Sequence, residues 1–453
     1  MNNNEFENTI FQVLNVKNGG EITVVFENFI FDFFVVKQGA TLDTKINTKN
    51  GYIECTNKNG QFLYIYCGAE TFPINRSINS TFRSNFYFIS NGPFTDLSLS
   101  EFSFRFSGGV INKIFPPHAL EIDSNEKDKI VINKRKYNMN IEMKVLKKDA
   151  KLQFYSQYHY GISIDKGVSI SETDSGLDVI GDFIISDLFA IESELSNVFS
   201  FMSYRKIDNN YKIELLLDTQ VKQRIVKRPV ATCYYRSFSS NNKNVDKSFM
   251  NLITMYKIRE DRFVKLYEII NNKEKDNGFN IDFIPEEGRV NIVDKIRVKE
   301  TVTAIECLLN KYKIHSKNSQ TEDLIEEVKK KVDDYNDNNV DKEIREQIKT
   351  SLGYANYPLK KRIYELYKSE EHEIDGYLKW LKERYKYDFS DINDFIKKTV
   401  DYRNNHTHDS FGIIDEKILN AVQLFNAMIY SKVLKEIGLQ KENISDWLIC
   451  CLV

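Results

Sequence analysis

The sequence predicts an α+β chain built from two parts, a β-rich, sandwich-like N-terminal domain and an all-α helical bundle. Three observations predict it. The first half carries short runs in which apolar and polar residues alternate. The second half repeats its apolar residues at helical spacing among many charges. Between them lies Ser237 to Asp246, a polar stretch without periodicity. The expected domains are therefore residues 1–241 and 242–453, and a length of 453 residues supplies enough chain for two cores.

The strand-like runs follow in order. Glu21 to Phe26 alternates, and Phe29 to Val36 is mostly apolar. Gly51 to Cys55 and Gln61 to Cys67 flank Asn57-Lys58-Asn59-Gly60, whose Asn-Gly pair suits a hairpin turn. Thr81 to Ile89, Glu101 to Phe106 and Leu152 to Ile164 interleave aromatic with polar residues, and Lys129 to Lys147 reads as two strands about a turn near Lys136. Such alternation buries one face of a sheet and wets the other. One helix interrupts, near residues 187–204, with Leu188, Ile191, Leu195, Val198, Phe199 and Met202 on one face. Tyr211 to Leu217 and Arg224 to Arg236 return to strand.

Helices fill the second half: Lys247 to Asn272, Asn291 to Lys313, Thr321 to Tyr335, Asp341 to Leu352, Pro358 to Tyr367, Ser390 to Asn404 and Asp415 to Ile437. Lys329-Lys330-Lys331 reads as a solvated helix face.

Charge and cysteine content narrow the function. Lys+Arg is 63 and Asp+Glu is 65. That balance argues against a protein that coats nucleic acid through many phosphate contacts, though not against an enzyme that grips a few nucleotides. Six cysteines without a CxxC pair point to a reduced, cytoplasmic setting. The first residues lack a signal-peptide pattern, and no apolar run is long enough to span a membrane, so no membrane association is expected.

The segment with chemistry in it is Thr399 to Asp409, TVDYRNNHTHD. Ser390 suits an N-cap, and Ile392, Phe395, Ile396 and Val400 form an apolar stripe. At about 100° per residue, Arg403 falls within roughly 20° of Ile392, inside that stripe. A guanidinium there is costly unless it is paired or faces a cleft. Asn404-Asn405 can stop the helix and let the chain turn back, bringing His408 near Arg403. A fork-shaped cation beside an imidazole that titrates near neutrality suits RNA cleavage.

Arg403-Asn404-Asn405-His406-Thr407-His408 matches the signature of HEPN domains, an Arg, usually followed by a polar residue, and a His after four to six intervening residues. It most resembles the ApeA-like HEPN family of bacterial anti-phage defence proteins, with Val400, Asp401, Arg403, Asn404, Thr407 and His408 at the motif positions. The order of a β-rich region before a helical one extends the likeness. The resemblance implies a metal-independent endoribonuclease that works as a homodimer or larger homo-oligomer and leaves a cyclic phosphate. Arg403 would then neutralise the scissile phosphate, His408 would act as general acid or base, and Asn404 would orient one of them. His406 departs from the family pattern; it is expected to contact substrate, with a share in the catalytic role left open. The resemblance also implies RNA as substrate, a phage-derived trigger, and a sensor or regulatory role for the β-rich domain.

Two other readings compete. One is a HEPN module without catalysis that binds RNA or a protein partner. The other is a carbohydrate-binding β-domain on a helical scaffold, which would need aromatic residues lined up on an exposed face. His406, His408 and Asp409 offer metal-ligating atoms, but a catalytic metal normally takes three protein ligands and no further cluster supports them. Neither a metal nor another cofactor is expected. His118, His159, His315 and His372 are isolated in the sequence.

Overall fold

A computed structural model describes residues 9–17, 21–27, 29–36, 45–73, 80–94, 101–115, 121–123, 131–133, 138–163, 167–206, 212–221, 224–235, 253–272, 278–286, 289–290, 292–314, 319–334, 344–349, 359–405 and 413–452. The chain forms an N-terminal sheet region followed by a helical region, as the two periodicities predict. It divides into two compact units, Met1–Ser196 with Ile207–Val245 and Thr254–Asp261, and Asn197–Lys206 with Asp246–Ile253 and Arg262–Val453. The boundary expected at 241/242 falls outside the described residues.

In the first unit, thirteen strands join in one hydrogen-bonded order. Along the chain they are β1 (Phe11–Val13), β2 (Ile22–Glu27), β3 (Ile30–Val35), β5 (Tyr52–Thr56), β6 (Phe62–Tyr66), β8 (Ser80–Arg83), β9 (Phe86–Ser90), β10 (Phe102–Ser107), β13 (Met139–Val145), β14 (Lys148–Ser163), β15 (Gly167–Phe183), β16 (Lys212–Val221) and β17 (Arg224–Tyr235). The spatial order is β13-β14-β15-β10-β16-β17-β9-β6-β5-β1-β2-β3-β8. Two small sheets accompany it, β4 (Lys45–Asn47) with β7 (Thr71–Pro73), and β11 (Glu121–Asp123) with β12 (Val131–Asn133).

Tyr87 on β9 meets Phe26 on β2 at 5.1 Å and Phe31 on β3 at 5.4 Å between ring centroids. In the strand order these partners stand four and five places away. In a flat sheet that is roughly 19–24 Å, because neighbouring strands lie about 4.8 Å apart. This end of the sheet therefore curls over on itself and encloses a core of Phe11, Val24, Phe33, Ile53, Leu63 and Ile65. Phe72 of β7 packs on Phe33 and Phe82 and covers part of it. Among the described residues, the aromatic side chains at this end of the sheet are thus chiefly core. The hairpin between β5 and β6 turns through Gly60, whose φ of 76° favours glycine, and Asn57 Oδ1 accepts from the backbone of Asn59 and Gln61.

Helix α1 (Val110–Ile114) follows β10, and α2 (Asp187–Ser203) follows β15. Leu188, Ile191 and Leu195 of α2 are buried as its spacing predicts.

After α3 (Met255–Ile258), the second unit takes in most of α4 (Glu260–Asn271), then α5 (Lys295–Lys311), α6 (Ser319–Asp334), a short turn of helix at 344–349, α7 (Leu359–Tyr385), α8 (Ile392–Asn405), α9 (Glu416–Glu436) and α10 (Lys441–Cys451). Helix α9 is the centre, with Ala421, Val422, Leu424, Phe425, Met428 and Ile429 fully buried. Helices α5, α7, α8 and α10 pack against it. The last turns of α2 belong to this unit: Phe201 stacks on Tyr430 with centroids 4.2 Å apart and planes 8° from parallel.

Two local expectations are corrected. The helix expected to end at Tyr367 runs to Tyr385, because Glu370, Ile374, Tyr377 and Leu381 continue its buried face. Gly376 inside it admits the close approach of Ser445, whose Oγ would lie 2.2 Å from an added Cβ. The cap of α8 is Asp391, which accepts from the Asp394 backbone at 3.0 Å, while the Ser390 hydroxyl donates to Asp388.

Candidate active site

Helix α8 carries the first half of the motif. Phe395, Ile396, Thr399, Val400 and Tyr402 are buried, and Tyr402 packs with Val298 of α5 and with Ile418 and Val422 of α9. Asp401 forms a 2.6 Å ion pair with Lys360 of α7. These contacts fix the rotation of α8 and aim Arg403 at α5.

The apolar stripe predicts that Arg403 needs a partner, and Glu306 of α5 is that partner. Arg403 Nη2 donates to Glu306 Oε2 at 2.5 Å, with side chains 26% and 28% exposed. Arg403 Nη1 donates to Asn404 Oδ1 at 3.2 Å. One guanidinium therefore rests between two acceptors, one on the facing helix and one on the next residue.

A second arginine stands by the same carboxylate. Arg362, at the start of α7, donates through Nε to the Ile314 carbonyl at 2.9 Å and through Nη2 to Asn310 Oδ1 at 2.8 Å. Burial pushes the Glu306 carboxyl above its ordinary range, while Arg403 and then Arg362 pull it back. Burial also pulls Arg362 down, opposed by Glu306. The group is two cations about one anion, so it stays net positive with Glu306 ionised. Such a site suits a phosphate, and the planar guanidinium of Arg403 can address two of its oxygens.

Glu306, Asn310 and Arg362 did not stand out in the sequence. Glu306 and Asn310 lie one turn apart and share a face of α5. That spacing is a weak signal, and nothing in it points to an arginine 97 residues away. Of the predicted site residues, the structure places Arg403 and Asn404 together. His406 and His408 lie outside the described residues, as do Thr407 and Asp409. His372 is near Lys441, with Nζ 3.0 Å from Nδ1, and has no contact with the Arg403 group among the described residues.

Among the described residues, no group of three or more histidine, cysteine or carboxylate side chains is placed to hold a metal ion. No helix among them is long and apolar enough to cross a membrane.

Residues 300–443 match the family model described as Apea-like HEPN. That span contains Glu306, Asn310, Arg362, Arg403, Asn404, His406 and His408. No curated protein and no solved structure matches the chain.

Proposed function

We propose, from the match of residues 300–443 to the family model described as Apea-like HEPN, that the chain is a metal-independent RNA endonuclease acting in anti-phage defence by abortive infection. The family supports a HEPN nuclease-type role. The observation that carries the finer reading is Arg403, a half-buried guanidinium held by Glu306 and Asn404 a few residues before His408.

In the proposed reaction the ribose 2′-hydroxyl gives up its proton and its oxygen attacks the adjacent phosphorus. The bond from phosphorus to the 5′-oxygen breaks, and that oxygen leaves with a proton. The products are a cyclic phosphate and a 5′-hydroxyl. Arg403 binds the non-bridging oxygens as charge builds on them. His408 carries one of the two proton transfers. Asn404 keeps the guanidinium oriented, and His406 contacts substrate.

The acting unit is a homodimer or a larger homo-oligomer with two copies of the motif facing one groove. Three exposed isoleucines support this. Ile292, Ile296 and Ile413 are 50%, 59% and 89% exposed, and the neighbours Val293 and Ile414 pack on the cluster that holds Tyr402. The β-rich unit senses a phage-derived trigger, and the protein acts in the cytoplasm.

The ion pair of Arg403 with Glu306 also favours a second reading, a HEPN module that binds RNA or a protein partner and in which the pair only joins two helices. Purified protein with total RNA in excess chelator separates the two. Wild type should cut and leave cyclic phosphate ends, and His408→Ala should not. Equal cutting by both removes the catalytic assignment.

A further inference from the structure

We propose that Glu306 is a positioning residue for Arg403, its carboxylate on α5 fixing the plane and aim of the guanidinium that faces the scissile phosphate. The inference rests on the ribonuclease reading and adds to it a residue outside the motif.

Three features separate this role from an ordinary helix-to-helix ion pair. The first is the division of the fork. Nη2 of Arg403 is held by Glu306 and Nη1 by Asn404. A single acceptor leaves a guanidinium free to swing about one hydrogen bond, whereas two acceptors on separate elements fix its plane. The second is charge. A lone pair would cancel Arg403 and spoil it for phosphate, but Arg362 beside the same carboxylate leaves the group cationic. Arg362 is itself tied to Ile314 and Asn310, so it supplies field without competing for the position of Arg403. The third is cost. Glu306 is partly withdrawn from water, which disfavours its charged form, and a glutamine of the same shape would avoid that penalty. A charge kept against its solvation is more readily explained by orientation than by stability.

The role has a kinetic signature. A carboxylate next to Arg403 repels an arriving phosphate, so its removal should leave ground-state binding equal or tighter. The reaction should nonetheless slow, because the guanidinium is no longer aimed. A misplacement of about 1 Å can cost about 10²-fold in rate.

The test uses the full chain as wild type, Glu306→Gln, Glu306→Asp, Arg403→Ala and the Glu306→Gln/Arg403→Ala double variant. Single-turnover cleavage is followed on a pool of random-sequence RNA. Binding is followed on the same pool with 2′-O-methyl groups, which block the attacking oxygen. Glu306→Gln should cut about 10²-fold more slowly and bind no more weakly than wild type, with an unfolding midpoint no lower than that of wild type. Glu306→Asp should recover part of the rate, and in the double variant Glu306→Gln should add nothing to the loss from Arg403→Ala. The proposal is overturned if Glu306→Gln cuts at the wild-type rate or faster, if rate and affinity fall together with the unfolding midpoint, or if the two substitutions are additive. If wild type cuts no RNA, or Arg403→Ala cuts as well as wild type, the ribonuclease reading fails first and the positioning role goes with it.

Discussion

The phenol oxygen of Tyr204 accepts a 2.6 Å hydrogen bond from Arg297 Nη2, joining residues 93 positions apart in the interior of the helical unit. Arg297 is 5% exposed. Its Nη1 donates to the carbonyls of Arg289 and Val290, both at 3.1 Å, and its guanidinium lies 5.4 Å from the centre of the Tyr204 ring. Asn426 of α9 donates to the same phenol oxygen. The charge is thus held by neutral acceptors, two backbone carbonyls and the phenol oxygen, and its removal takes a donor from each of them. Each buried acceptor left alone costs about 1–3 kcal/mol. Arg297→Ala should therefore destabilise the chain by about 3 kcal/mol or more. Arg297→Lys should also be harmful, because an ammonium cannot span the same acceptors. Urea unfolding with an unchanged slope would measure both.

Cleavage should divide the motif residues by role. Arg403→Ala and Arg403→Lys should both lose activity, since a point charge does not replace a planar fork. His408→Ala should lose about 10²–10⁴-fold, and His406→Ala should lose less. Single-turnover rates in chelator give the ranking. Cutting by His408→Ala at the wild-type rate would remove that residue from the mechanism.

The Glu306 carboxyl sits above its ordinary value of 4.5, chiefly through burial. The folded chain therefore holds that proton more tightly than the unfolded chain does. This contribution to stability is complete below the unfolded value and is lost as pH rises through the folded one. Glutamine is uncharged throughout, so Glu306→Gln should gain stability relative to wild type as pH increases above 4.5. Paired denaturation curves across that range read the difference, and other titrating groups cancel. A difference that does not move with pH would show that Glu306 feels no net burial.

Self-association should depend on the exposed isoleucines. Replacing Ile296 and Ile413 with glutamate should shift the protein toward monomer and lower its activity, while the unfolding midpoint stays near wild type. Light scattering over a range of concentrations is the check. Wild type that is monomeric at every concentration, with and without RNA, would rule out the dimer.

Much of the fold was legible because period-2 and period-3.6 patterns report directly on which faces are buried. The hairpin at Gly60 and the burial of Leu188, Ile191 and Leu195 follow from local chemistry. The strand order was not legible. The contact of Tyr87 with Phe26 and Phe31 depends on the curl of a sheet whose neighbours are far apart in sequence. The candidate site divides in the same way. Arg403 was visible as a cation on an apolar stripe, since that conflict is local. Glu306 and Arg362 were not, because each looks like a normal surface charge on its own helix until α5, α7 and α8 are brought together.

The ten residues Asn197–Lys206 come from the β-rich half of the sequence but belong to the helical unit, and the chain then returns to the first unit before the bundle begins. They bring Phe201 to Tyr430 and Tyr204 to Arg297. A helical half cut out at the polar stretch would lack the ring that covers Tyr430 and the phenol that satisfies Arg297. The two halves are therefore not a cassette and its carrier. During synthesis the first half emerges with a piece of its helical partner's core already in it, and neither half can be exchanged between proteins without that loan being repaid in compatible side chains.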